Sequence, residues 1–217
     1  MEFVKSFKPY TLLSGMLILF IALALNACYP EGPTSTDELD VVVTVFDKNV
    51  DFGKITTFAL ADTVIKLEGS IDVDDKWDPV ILEQVKENMV NLGYTYVPND
   101  TTLPAPSVAM VVAVVANENY VVSGGYWWGY PGWGGWWGYP GWGWYYPPYY
   151  YTTTYPLGTL FIQMADPNAV EDPEDPVPVY WFATMNGTLS SSSNVTRDQI
   201  ERLINQAFEQ SEYLGKK

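Results

Sequence analysis

The spacing of apolar residues changes several times along the chain, and each change marks an element. Residues 40–46, DVVVTVF, are rich in β-branched side chains and predict a strand. A turn at 47–54 follows, then a second strand at 55–60, ITTFAL. Residues 64–77 are acidic and irregular. Asp78-Pro79 then opens a helix, with Asp78 as the expected N-cap and Pro79 at the first helical position. Ile81, Leu82, Val85, Met89 and Leu92 recur at helical spacing and give it one apolar face, which Gly93 ends. A short strand at 94–97 and a loop at 98–106 lead to 107–122, SVAMVVAVVANENYVV. The first half of that run is apolar at every position, which predicts a central strand covered on both sides. Two more strands are expected at 157–165 and 179–189, joined by an acidic, proline-rich turn at 166–178. Thr196 and Gln199 form a capping box ahead of a last helix, whose apolar face is Ile200, Leu203, Ile204, Ala207 and Phe208.

The predicted order is β-β-α-β-β-insert-β-β-α. Each helix has a single apolar face, so each should lie on a sheet rather than inside a bundle. The expected fold class is α+β: a two-layer domain over 40–217, with a mostly antiparallel sheet and two amphipathic helices.

The insert, 124–156, departs from every periodicity. Its centre reads GYWWGYPGWGGWWGYPGWGWYYPPYYY and repeats the octapeptide WWGYPGWG with a period of nine residues. Seven of the nine tryptophans of the chain lie in it, and no charged side chain occurs from Asn119 to Ala165. Frequent Gly and Pro oppose both a helix and an unbroken strand. Each Trp or Tyr offers roughly 150–250 Å² of apolar surface while keeping a polar N–H or O–H. That combination suits a half-wet environment. Four readings compete: a hairpin loop packing its rings on itself and the sheet, an anchor at the membrane interface, a surface stacking on glycan or peptidoglycan, and self-association. The candidate contact residues are Trp127, Trp128, Tyr130, Trp133, Trp136, Trp137, Tyr139, Trp142 and Trp144.

The N-terminal pattern changes the picture of where the domain works. Lys5 and Lys8 precede an uncharged apolar run, GMLILFIALAL, which is short for a bilayer span but fits a signal sequence. It ends in Leu25-Asn26-Ala27-Cys28, which resembles the lipobox of bacterial lipoproteins. The resemblance implies a signal peptide at 1–27, cleavage before Cys28, and diacylglycerol on the Cys28 thiol. Two or three acyl chains on this residue would anchor the protein stably, where one would not. Residues 28–39, rich in Pro, Gly, Ser and Thr, read as a flexible tether. An outer-membrane location, facing the periplasm or the cell surface, follows as the expectation.

Charge and missing residue types then narrow the chemistry. The chain has a net charge of −15, and removal of 1–27 would leave 25 acidic and 9 basic side chains, a net of −16. Such a chain should repel nucleic acid and bare anionic lipid. It has no histidine, which excludes Ser-His-Asp and Cys-His catalysis and histidine ligation of metal. Cys28 is the only cysteine, so no intrachain disulfide and no cysteine-type zinc site can form. The acidic run Asp72-Val73-Asp74-Asp75-Lys76-Trp77-Asp78 lacks the glycine and the closing glutamate of a calcium loop and reads as solvated. The run at 171–175 reads the same way. No phosphate-cradling glycine loop follows a strand. No cofactor and no metal are expected.

Several segments together resemble the DUF4136 family of bacterial lipoproteins, whose function is unknown. They are Asp51-Phe52-Gly53-Lys54-Ile55-Thr56-Thr57-Phe58-Ala59, Leu92-Gly93-Tyr94, Gly158-Thr159-Leu160-Phe161-Ile162 and Val179-Tyr180-Trp181-Phe182-Ala183. The valine-rich strand followed by a Gly/Tyr/Trp/Pro-rich insert is a further point of likeness. The resemblance implies an envelope lipoprotein with an α+β domain and supplies no catalytic residues. The expected function is a non-enzymatic structural or binding module whose insert contacts membrane interface, glycan or protein. The alternative is a hydrolase of envelope glycans working through an Asp/Glu pair, for which the sequence spacing offers no candidate pair.

Overall fold

The structure is a computed structural model that describes residues 41–67, 75–100, 102–116, 120–123, 152–155, 157–169, 177–186, 189 and 195–215, with the backbone alone at 120–123 and 152–155. All of them lie in one compact unit, 36–217. The first strand, β1 (Val42–Phe46), is followed by β2 (Thr57–Leu60) and β3 (Ile65–Leu67). Helix α1 (Asp78–Asn91), β4 (Thr95–Tyr96) and β5 (Val108–Val115) come next. A pair of short strands, β6 (Tyr120–Ser123) and β7 (Thr152–Tyr155), precedes β8 (Leu160–Ala165), β9 (Val179–Met185) and helix α2 (Arg197–Glu209).

The sheet is organised around β5. Every residue of β5 is fully buried, so both edges of its backbone need partners and neither can be left to water. One edge pairs antiparallel with β8. The other is shared by two strands in tandem: β2 runs parallel to Val108–Met110, and β3 runs parallel to Ala113–Val115. Ala61 N–H to the Met110 carbonyl (3.1 Å) and Ala116 N–H to the Leu67 carbonyl (3.1 Å) continue the two short ladders. Beyond β8 lie β9 and then β1, both antiparallel; beyond β2 lies β4, parallel. The result is an α+β fold with a mixed, mostly antiparallel seven-stranded sheet.

Alternation along the strands sorts the side chains. Val108, Met110, Val112 and Val114 of β5 join Leu160, Ile162 and Met164 of β8 and Trp181, Ala183 and Met185 of β9 in the main core, together with Ile81, Val85 and Met89 of α1 and Ile200, Leu203, Ile204, Ala207 and Phe208 of α2. The intervening residues of β5 form smaller clusters with Ala59, Ala61, Leu67, Phe161 and Ala165. The two helices are clasped by Asn205, whose Oδ1 accepts from Gln84 Nε2 (2.8 Å) and Asn88 Nδ2 (2.7 Å).

Both helix faces and both helix boundaries agree with the sequence pattern, apart from one cap. Gly93 adopts φ 95. Tyr94 N–H reaches the Met89 carbonyl (3.1 Å) and Gly93 N–H the Val90 carbonyl (2.9 Å), the bond pattern that closes a helix on a left-handed residue. Thr196 Oγ1 accepts from Gln199 N–H, as expected of an N-cap. Asp78, in contrast, is the first helical residue and not the cap. Trp77 holds the cap position without a side-chain bond, and the Asp78 carboxylate pairs with Lys66 Nζ at 3.0 Å. A negative charge in the first turn still complements the helix dipole, so the residue serves the same helix end by charge.

Three further expectations change. Residues 65–67 form a strand within the stretch read as irregular. The single strand expected at 107–122 is divided into β5 and β6, which pair with different partners. The last part of the insert read at 124–156 forms β7.

The junction of sheet, α2 and the C-terminal turn is satisfied bond by bond. The Trp181 ring is fully buried, lies 5.1 Å from Phe208, and donates from Nε1 to Ser211 Oγ at 3.0 Å. Ser211 Oγ also accepts from Tyr213 Oη (3.2 Å) and donates to the Ala207 carbonyl (2.8 Å), so the hydroxyl uses its one proton and both lone pairs. Ser211→Ala leaves the buried indole N–H without its acceptor and should cost about 1–3 kcal/mol in chemical denaturation. Trp181→Ala should cost about 3–5 kcal/mol by the same measurement.

A second buried polar contact sets an alkaline limit. Tyr94 Oη donates to the Leu214 carbonyl at 2.8 Å, and burial pushes its phenol up to about 12. In the unfolded chain the phenol ionises near its ordinary value of about 10. Because the folded value is the higher one, the stability Tyr94 contributes is complete below pH 10 and is lost as the pH rises toward about 12. Tyr96 and Tyr180 are shifted the same way, each first by burial. Thermal melts from pH 9 to 12 should therefore show Tm falling above about pH 10, with a shallower fall in Tyr94→Phe.

Candidate functional site

The aromatic insert is bracketed by a two-stranded arm that forms a small sheet of its own between β5 and β8 in the chain. Strands β6 and β7 pair from Tyr120↔Tyr155 to Ser123↔Thr152. The residues between them, 124–151, are the Gly/Trp/Tyr/Pro-rich sequence. Both ends of the insert therefore meet at one rung of a ladder, on the order of 5 Å apart.

The shoulder where the arm leaves the sheet is held by backbone bonds. Val115 N–H donates to the Thr159 carbonyl and Gly158 N–H to the Val115 carbonyl, both at 2.9 Å. Leu189 N–H donates to the Gly158 carbonyl at 3.0 Å, which ties the segment after β9 to the same point. Gly158 itself has φ 80, a conformation that a side chain disfavours. Thr159 is fully buried beside it, with Oγ1 at 3.4 Å from Asn186 Oδ1.

Cys28 and all nine aromatic candidates, Trp127, Trp128, Tyr130, Trp133, Trp136, Trp137, Tyr139, Trp142 and Trp144, lie outside the described residues. The structure places the strands that bracket the aromatic nine. The two tryptophans outside the insert have structural roles: Trp181 fills the core, and Trp77 packs at its margin with Lys76 Nζ 5.3 Å from the ring centroid. What sequence reasoning missed is the pairing of 120–123 with 152–155. The signal was present in YVVS and TTTY, two runs of strand formers at the flanks of the insert.

Several of the described acidic side chains are engaged in turns, ion pairs and hydrogen bonds. Asp47 caps the turn at Asn49 (2.9 Å), Asp51 pairs with Lys54 (3.3 Å) and Glu201 with Arg197 (3.5 Å). Asp166 accepts from Asn168 N–H and from Tyr180 Oη, both at 2.8 Å. None of these contacts favours a hydrolase. The run at 72–78 is described only from Asp75 onward, and Asp78 in it is the partner of Lys66. Among the described residues no group of three or more His, Cys, Asp or Glu could hold a metal ion, and no helix is long and apolar enough to cross a membrane.

An α+β domain with two helices on one face of a mixed sheet, and an aromatic insert between β5 and β8 in the chain, defines the class of protein. The chain belongs to the DUF4136 family, a domain of unknown function whose model matches residues 42–211. A solved structure of a DUF4136 family protein from Bacteroides thetaiotaomicron VPI-5482 resembles it with a TM-score of 0.61 and 28% sequence identity, covering 82% of this chain and 98% of that one. Two structures of the PelC dodecamer from Paraburkholderia phytofirmans resemble it more distantly. Their TM-scores are 0.42 and 0.40 at 11% and 12% identity, each over 82% of this chain and 99% of that one. No curated protein matches the chain.

The shoulder yields a direct test of the arm. Gly158→Ala forces a side chain into the left-handed region and should cost about 1–2 kcal/mol in chemical denaturation. Amide hydrogen exchange at Val115 should accelerate in the same variant, because its bond to the Thr159 carbonyl lies beside the strained residue.

Proposed function

We propose that this chain is a lipid-anchored lipoprotein of the bacterial outer membrane and a non-enzymatic structural or binding module of the envelope. Acyl chains on Cys28 hold it to the membrane. The aromatic insert makes its working contact with membrane interface, glycan or protein. The observation that carries this reading is the arm: an uncharged, tryptophan-rich sequence is closed by the paired strands β6 and β7, which stand in the chain between the two central strands β5 and β8.

A second reading rests on one specific observation. The face of the sheet turned away from the helices is apolar and buried at Ala109, Val111, Ala113, Val115 and Phe161. In that reading the insert covers its own sheet.

One replacement separates the two. Exchange of 124–151 for Asn-Gly, a dipeptide suited to closing a two-residue hairpin, should abolish sedimentation of the non-acylated protein with liposomes or with peptidoglycan and leave Tm within a few degrees of the parent. Unchanged sedimentation together with a large loss of Tm would replace the contact reading with the cover reading. In cells, Cys28→Ser should lose its acyl mass and its membrane fraction. A Cys28 residue without acyl chains in the parent protein would remove the lipoprotein assignment.

A further inference from the structure

The two edges of the large sheet are finished differently. On one side β4 has two residues, Pro98 follows shortly after it, and Lys86 Nζ lies 4.8 Å from the Tyr96 ring centroid. On the same side β3 has three residues and carries Lys66. Short strands, proline and lysine are the devices that keep a sheet edge from pairing further. The other side ends in β1, which has five residues, VVTVF, without a charge or a proline. Among the described strands β9 alone pairs with it. Asn186 N–H bonds to the Val41 carbonyl and Asp47 N–H to the Tyr180 carbonyl, which fixes the phase of that ladder. Val43 and Val45 bond with β9, while Val42, Thr44 and Phe46 turn N–H and C=O outward. Among the described residues the one bond to these outward groups is long, from Gln210 Nε2 to the Val42 carbonyl at 3.3 Å. Val42 and Phe46 pack on the helix side, so Val43 and Val45 stand on the other face. Val43 is 46% exposed there.

We infer that β1 is a self-pairing edge: two copies of this chain join β1 to β1 antiparallel, and their sheets run on as one across a two-fold axis. This contact needs no acyl chain. Its support is the strand's own sequence, which reads almost alike in both directions about Thr44. An antiparallel pair of identical strands is two-fold symmetric, so each copy offers the same patch to the other. Centring the pair on Thr44 lets the outward groups bond, with Thr44 facing Thr44 and Val42 facing Phe46 of the partner subunit. A Thr–Thr pair and an aromatic–β-branched pair are among the combinations that stabilise neighbouring strands. On the opposite face Val43 meets Val45 of the partner subunit, which takes exposed apolar surface out of water. Charge agrees with this register. The strand brings no fixed charge to a contact between two chains of net charge −15. The exposed Lys48 falls opposite position 40 of the other copy, an aspartate in the sequence. A ladder of five residues is about 17 Å long. A contact of that size falls below the roughly 800 Å² per partner of a standard interface, so the dimer is weak and follows concentration.

The test uses the full chain in non-ionic detergent. Sedimentation from micromolar to millimolar concentration should show monomer passing to dimer. Val43→Lys puts a charge on the exposed face of the edge; it should stay monomeric over that range, with Tm within a few degrees of the parent. Register is read by oxidising single cysteines in the Cys28→Ser background, where no other thiol is present. Thr44→Cys should link to itself, since bonded partners stand about 5.5 Å apart, and Val43→Cys mixed with Val45→Cys should link across at about 4.5 Å. Both reactions should run about tenfold or more faster than in Lys48→Cys, whose two copies would stand on the order of 27 Å apart and which measures random collision. A chain that stays monomeric at millimolar concentration would overturn the inference, as would a dimer that Val43→Lys leaves unchanged. Thr44→Cys linking no faster than Lys48→Cys would overturn it whatever Val43→Lys does to the fold. Val43→Cys linking to itself faster than to Val45→Cys would move the two-fold axis off Thr44 and sink the register with it.

Discussion

The structure depends on β5. A strand with eight consecutive buried residues cannot expose either backbone edge or either face, because an unpaired buried N–H or C=O costs as much as a lost hydrogen bond. That demand recruits β8 to one edge and two short strands, β2 and β3, to the other. It explains why a sheet that is otherwise antiparallel has a parallel half. A parallel partner requires a crossover, and α1 lies in the connection between β2 and β5. The helix layer thus follows from the same strand that seeds the sheet.

The aromatic insert inherits its position from that strand as well. A low-complexity segment with frequent Gly and Pro could have been joined to the domain by any surface loop. Here it lies between β5 and β8 in the chain and is bracketed by β6 and β7, which pair with each other. The bonds around Gly158, Thr159 and Leu189 hold the residues that lead into β8.

Tryptophan is used in two ways that composition alone does not separate. Trp181 is enclosed, packed against Phe208 with the rings tilted, and bonded through Ser211. The seven in the insert follow one another with Gly, Tyr and Pro, at spacings that match neither a helical face nor alternation along a strand. A neighbourhood that alternates, VYWFATM, identifies the first as core.

Much of this was legible in the sequence because it is encoded locally. The helices were, since the apolar face of each is written within a few turns, and Gly93 and Thr196 do what their residue types predict. The apolar run of β5, the hairpin of β8 and β9, the family segments and the repeat of WWGYPGWG were legible for the same reason. What tertiary structure decided are the features whose cause lies far away along the chain. Ile65–Leu67 became a strand only because Ala113–Val115 offered an edge. The run 107–122 was divided because its two halves found different partners. Asp78 went to Lys66 instead of capping its helix, since a cation stood within reach. Most of all, a linear sequence cannot say that Val42, Leu160 and Val114 stand in one row of a sheet. That depends on the order β1-β9-β8-β5, which is set by how backbone hydrogen bonds are satisfied over long separations and not by any residue's own preference.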